Sequence, residues 1–194
     1  SLFDTWRNGS AKVSISRACR SRFIWWMGSE RQMTSALCMG IGFLCGSLLP
    51  GYWIGKYCFG KDLEAEGSGN IGATNAFRVL GPKVGALVLC LDAAKGATAV
   101  WISTQLGGID TLSGLFAMLG HTYSPFLKFR GGKGVATGLG VFLSLAPKPA
   151  CLALATFVVA LLIGRRVSPA SCLAAIVLGA GVPVETTLDV RPPA

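Results

Sequence analysis

The run MTSALCMGIGFLCGSLLPGYWIGKYCF, residues 33–59, carries one charged side chain, Lys56, over its whole length. In hydrocarbon about 20 residues of helix cross the core, and only helices and closed barrels satisfy their own backbone there. Residues 82–106 form a second apolar span, interrupted by Asp92 and Lys95, and residues 109–120 are apolar but short. Three further apolar stretches follow at 135–147, 150–164 and 167–184. Half-helices meeting at a protein-buried break explain the short ones, with Pro50 a tolerated break in the first run. The expected fold is all-α: a polytopic membrane helix bundle of about six spans or half-spans. Composition agrees, with 52% hydrophobic and 14% charged residues against about 25% charged in soluble domains. A length of 194 residues fits one compact bundle, read as residues 33–184.

The net charge of +9 does not point to nucleic acid, because the basic residues form no stripe with interleaved aromatics. They sit between the apolar runs. Lys56, Lys61, Arg78 and Lys83 fill the first break and Lys128, Arg130 and Lys133 the third, while the break at 107–111 holds none. Basic residues favour the cytoplasmic side, so the loops at 61–81 and 121–134 are expected in the cytoplasm. Residues 1–32 disagree, with Arg7, Lys12, Arg17, Arg20, Arg22 and Arg31 before the first span. They read as a start extended beyond Met33, or as a basic arm on the membrane surface. They do not fit a cleaved signal peptide.

Seven cysteines, an odd count without C-x-x-C spacing, read as small apolar residues of membrane helices and not as a metal or disulfide framework.

The break EGSGNIGATNAFRVLG, residues 66–81, is rich in small donors. Gly67 and Gly69 let backbone N–H groups converge on an anion. Ser68 and Thr74 add hydroxyls, Asn70 and Asn75 add amides, and Arg78 adds a planar fork suited to phosphate. A second break, FRGGKG, repeats the formula with Gly131, Gly132 and Gly134 around Lys133. Such glycines also serve as helix caps and close-packing positions. Two of these loops on one membrane side favour a phosphate site.

Asp92 and Lys95 lie one helical turn apart deep in a span, where charges pair or serve function. A structural ion pair and a source of positive potential for the site are both open readings. His121, the sole histidine, falls where an apolar segment meets the basic loop, a place for a hydrogen-bonding or proton-handling group. GGKG lacks P-loop spacing, no G-x-S-x-G elbow occurs, and no acidic cluster suits a catalytic Mg²⁺.

Taken in order, GSGNIGATNAFRVLG, LDAAKG and GHTYSPFLKFRGGKGVATGLG resemble the three signature motifs of bacterial acyl-phosphate:glycerol-3-phosphate acyltransferases, the PlsY family. The resemblance covers residues 37–176. It implies a metal-free, cofactor-free inner-membrane enzyme with some half-length helices. Such an enzyme moves a fatty acyl group from acyl phosphate to the 1-hydroxyl of glycerol 3-phosphate, giving lysophosphatidic acid and phosphate. Its partners would be those two substrates, the bilayer, and the soluble enzyme that makes acyl phosphate. The donor is a mixed anhydride with a good leaving group, so positioning and charge stabilisation suffice. By resemblance, Ser68, Asn70 and Arg78 hold phosphate groups and Lys133 neutralises the leaving phosphate. His121 orients a phosphate or the attacking hydroxyl, the substrate's own phosphate serves as base, and the spans leave a lipid-open slot for the acyl chain. Ser168 and Ser171 match a family region that reaches the site.

This chain departs from the pattern in two places. Glu64 and Glu66 stand where the family carries an arginine, which weakens anion binding there. After Gly179 the family continues into a further helix and a polar segment with His and Asn; here the sequence is GAGVPVETTLDVRPPA, read as a truncated or altered tail, with 185–194 polar. An inactive homologue is therefore one alternative. A small transporter of phosphate-bearing anions is another, though it should show inverted repeats, and no second copy of either motif appears.

Overall fold

The structure, a computed structural model, describes residues 17–164 and 167–181, with side chains from residue 30 onward. The readings of residues 1–16 and of the tail lie outside the described residues. Eight α-helices are present among them. Helix α1 (Arg17–Ser47) crosses Met33 without a break and ends where Leu48 and Leu49 precede Pro50. A residue before proline is pushed out of the helical region, and Leu49 adopts φ −117°, ψ 80°. Helix α2 (Pro50–Phe59) restarts on that proline, whose missing N–H is no loss in a first turn, and closes on left-handed Gly60. The run 33–59 is thus one path in two helices.

Residues 61–81 are not loop throughout: a short helix, α3 (Ala73–Val79), occupies their second half. Thr74, Asn75 and Arg78 therefore sit on a helix. Burial of Ala73 and Ala76 in one cluster with Val88 of the following helix gives α3 its packed face, and Phe77 lies so close over Gly85 that any Cβ there would strike its ring. Helix α4 (Pro82–Leu106) begins on Pro82 and stops at Gly107, whose φ of 72° suits a left-handed glycine cap. Helix α5 (Asp110–Thr122) carries an acidic first residue, favourable at the positive end of a helix. A 3₁₀ turn at Pro125–Leu127 leads to α6 (Val135–Leu145), α7 (Pro147–Gly164) and α8 (Val167–Gly181).

Glu30–Phe59, Pro82–Leu106 and Pro147–Gly164 are long and apolar enough to cross a membrane, and α6 and α8 are shorter apolar helices. Large apolar side chains such as Leu44, Trp101, Leu152, Leu162 and Ile163 face outward, as lipid contact requires. The protein is an all-helical integral membrane bundle, as the apolar runs predict.

Small residues line its two main seams. Along α1 and α5, Gly42 lies against the Ser113 carbonyl, Gly46 against that of Ala117, and Gly120 against that of Phe43. Between α4 and α6, Gly96 meets the Thr137 carbonyl and Gly140 that of Ala93. Membrane helices gain by such close backbone approach, since lipid offers no hydrophobic drive to bring them together. Larger side chains pack at the loop end, where Leu49, Leu63, Ile71, Val88 and Leu127 form one apolar cluster.

Candidate active site

Both glycine-rich segments lie at this loop end, with Ile71 of one and Leu127 beside the other in the same cluster. The first is wired by Asn75. Its amide nitrogen donates to the carbonyls of Leu63 (3.0 Å) and Glu66 (2.9 Å), and its oxygen accepts from the Ser68 amide (2.8 Å). Gly67 and Gly69 stand at φ 66° and 69°, a region that favours glycine. A Cβ on Gly67 would collide with the Asn75 side chain. Asn70 accepts from the Gly72 amide at 2.9 Å. Asn75 is 1% exposed and its amide is fully engaged, so it shapes the segment from beneath. Ser68, Thr74 and Arg78 are exposed.

The second segment folds over a histidine. The Gly132 amide donates to the His121 carbonyl at 3.0 Å. A Cβ on Gly131 would run into that carbonyl, and one on Gly132 into Nε2 of the ring. Gly134, at φ 71°, introduces α6. Lys133 projects outward and its Nζ lies 3.5 Å from Ser168 Oγ of α8. Ser171 donates to the Val167 carbonyl at 3.0 Å within its own helix.

Beneath this loop lies a buried charged cluster. Lys95 Nζ stands 2.8 Å from Asp92 Oδ1 and 2.8 Å from His121 Nδ1, and donates to the Leu48 carbonyl at 2.5 Å. Asp92 Oδ1 is 3.4 Å from His121 Nδ1. Lys95 thus supplies a donor to a carbonyl freed by the α1–α2 break, and Ser124 Oγ does the same for the Ser47 carbonyl at 2.8 Å. Irregular backbone at membrane depth persists when protein groups satisfy it in this way. Sequence reasoning paired Asp92 with Lys95 but carried no sign of the Lys95–His121 contact, of Leu48 or of Ser124. The serine of GHTYSPF was the one available signal.

A cleft of about 340 Å³ is lined by Tyr52 of α2, Glu64, and Phe126, Leu127, Lys128 and Arg130 ahead of the second segment's glycines. Lys128 and Phe129 both hold positive φ, 52° and 61°, which turns the chain sharply into Gly131. Among the described residues no cluster of His, Cys, Asp and Glu is fit to hold a metal ion.

A family model for glycerol-3-phosphate acyltransferase matches residues 36–186. The chain belongs to that family. It is 44% identical over 146 residues to a glycerol-3-phosphate acyltransferase of Synechococcus sp. (strain JA-2-3B'a(2-13)), covering 74% of this chain and 73% of that one. Its similarity to one of Myxococcus xanthus (strain DK1622) is 48% over 147 residues, covering 74% and 76%. The fold matches the crystal structure of PlsY, an integral membrane glycerol 3-phosphate acyltransferase, in its glycerol 3-phosphate form. The TM-score is 0.73 and the identity 40%, over 79% of this chain and 80% of that one. The lysophosphatidic acid form of PlsY gives a TM-score of 0.70 at 38% identity.

Proposed function

We propose that this family member transfers a fatty acyl group from acyl phosphate to the 1-hydroxyl of glycerol 3-phosphate, releasing phosphate and lysophosphatidic acid. The observation that carries the reading is the folding of the Gly131–Gly134 segment over His121, with Lys133 exposed at its rim. A histidine, an exposed lysine and the first turn of α6 belong to this one segment, groups suited to anionic oxygens.

In this reading the 1-hydroxyl oxygen attacks the acyl carbonyl carbon, and the C–O bond to phosphate breaks with its electron pair leaving on phosphate. Lys133 neutralises the charge that builds on that group. Electrostatic groups held in place beforehand lower the barrier without reorganising. Ser68, Asn70, Thr74 and Arg78 grip phosphate oxygens from the first segment, with Gly67 and Gly69 giving backbone access. Asn75 keeps that segment in shape and Ser171 supports α8, which brings Ser168 to Lys133. His121 orients a phosphate. A phosphate oxygen of the substrate accepts the hydroxyl proton, and the outward apolar faces leave the acyl chain in lipid.

The membrane is the bacterial plasma (inner) membrane, with the two glycine-rich segments on the cytoplasmic side. There they meet soluble glycerol 3-phosphate and the enzyme that makes acyl phosphate. The test is formation of lysophosphatidic acid by purified protein in liposomes, with acyl phosphate, acyl-coenzyme A and acyl-carrier protein offered separately. Product from acyl phosphate alone is the expected result. Product only from a thioester, or none at all, would overturn the assignment.

A further inference from the structure

The cluster beneath the glycine loop selects one form of its histidine. An ammonium group has three protons and no lone pair, so it donates and never accepts. Lys95 Nζ donates to the Leu48 carbonyl and lies in hydrogen-bond contact with His121 Nδ1 at 2.8 Å, while Asp92 Oδ1, 2.8 Å away, is its counter-ion. Nδ1 must then offer a lone pair, which leaves the ring proton of a neutral imidazole on Nε2. The opposite tautomer would turn Nδ1–H toward Asp92 Oδ1 at 3.4 Å and leave the ammonium, 2.8 Å from Nδ1, without a lone pair to meet. A doubly protonated ring would press Nδ1–H against the ammonium in a nearly dry site, with the side chains of Lys95 and His121 8% and 4% exposed. The other ring edge, Nε2, lies against Gly132, on the side of the loop that carries Lys133.

We propose that Lys95 is a positioning residue that locks His121 as the Nε2–H tautomer. His121 therefore meets its ligand as a hydrogen-bond donor, and Nε2 cannot take the proton of an attacking hydroxyl. This deepens the reading above, on which it rests for the identity of the anion. A phosphate oxygen is the partner an N–H donor selects, and the histidine is removed from the candidates for general base. Asp92 holds the Lys95 ammonium in place, so the two charges of the LDAAKG motif act on the site through the ring.

The chain has a single histidine, so nitrogen-15 histidine labelling of the full protein, carrying a histidine-free affinity tag, reports this ring alone. At neutral pH and without substrate, the spectrum should show a pyridine-type Nδ1 and a protonated Nε2. A protonated Nδ1, or both nitrogens protonated, overturns the proposal. In Lys95→Met, Asp92 is left as the only charged neighbour of Nδ1, and the proton should move to Nδ1 wholly or in part. In Asp92→Asn the lysine donor remains and Nε2–H should persist. Retention of pure Nε2–H in Lys95→Met, or its loss in Asp92→Asn, shows that Lys95 is not the determinant. The wild-type spectrum stands by itself if a variant does not fold. Since the tautomer is read without substrate, its failure is distinct from failure of the acyl-transfer reading, which is scored as lysophosphatidic acid formed. Added glycerol 3-phosphate should shift the Nε2 signal, and a stationary signal in a turning-over enzyme overturns the phosphate contact.

Discussion

Gly132 caps the Nε2 edge of the His121 ring: its amide donates to the His121 carbonyl at 3.0 Å, and the place where its Cβ would stand is taken by Nε2. The neighbour is an element of the proposed site, so relief of the clash has to move either the ring or the loop bearing Lys133.

Gly132→Ala should therefore cut acyl transfer by about 100-fold, the scale for a misplacement near 1 Å of catalytic groups. Gly40→Ala, on α1 with open space around its Cβ, is the matched control and should leave activity unchanged. Initial rates of lysophosphatidic acid formation check both. Equal activity of Gly132→Ala and the control would show that the ring and the loop are not coupled.

Asn75→Ala should loosen the first segment. It strips the Ser68 amide, the Leu63 carbonyl and the Glu66 carbonyl of their partner, and an unsatisfied buried group costs about 1–3 kcal/mol. Asn75→Asp should be no better, since a carboxylate has no N–H for the two carbonyls. Faster proteolysis at residues 61–72 and a raised KM for glycerol 3-phosphate are the expected readouts. A raised KM with unchanged proteolysis would instead place the Asn75 amide on the substrate.

The helices were legible because lipid imposes a coarse rule. Pro50, Pro82 and Gly107 punctuate apolar runs, and helix ends fall beside all three. The site was legible only as a list. Asn70, Asn75 and Arg78 look equivalent in GSGNIGATNAFRVLG, yet Asn75 is buried wiring and Arg78 is exposed, a distinction set by which side chain of α3 meets the backbone of residues 63–68. No spacing rule links Lys95 to His121, which lie 26 positions apart. Nor does any sequence rule announce that Leu48 will lend a carbonyl to a lysine. Gly42 and Gly46 did carry a signal, the small-xxx-small pattern of close helix pairs.

That pattern yields a stability prediction. Gly46→Val puts a Cβ, with two methyl groups on it, where the Ala117 backbone already sits, and α1 must separate from α5. Overpacking of this kind costs about 1–3 kcal/mol, occasionally more. Thermal unfolding in detergent should show a lower Tm for Gly46→Val than for Gly40→Val, whose side chain meets open space. Matching melting temperatures would mean that the seam is not as tight as the structure draws it.

Sidedness can be read from Lys83, which is exposed at the start of α4. Gly81 is the poorer site for a probe because its φ of 91° strains any other residue. In a background with the seven native cysteines replaced, Lys83→Cys should react with an impermeant maleimide in inside-out vesicles and stay unlabelled in intact cells. Labelling in intact cells would put the glycine-rich segments outside and reverse the proposed topology.

Arg78 and Lys133, both exposed, should differ in which step they serve. Arg78 belongs to the first segment, where the proposed task is gripping a phosphate in both ground and transition states. Lys133 belongs to the glycine loop that folds over His121 and is assigned the charge that develops as phosphate leaves. An interaction stronger in the transition state raises kcat, and uniform binding lowers KM. Lys133→Ala should therefore act on kcat, with a barrier increase of about 2–4 kcal/mol, the range for one preorganised group at a developing charge. Arg78→Ala should act largely on KM for glycerol 3-phosphate. Ser168→Ala, which removes a hydroxyl 3.5 Å from Lys133 Nζ, should act in the same direction as Lys133→Ala and less strongly, because the ammonium itself remains. Steady-state kinetics over both substrates separates these cases. A Lys133→Ala enzyme with normal kcat removes the lysine from the chemical step, and an Arg78→Ala enzyme with normal KM removes the arginine from substrate binding.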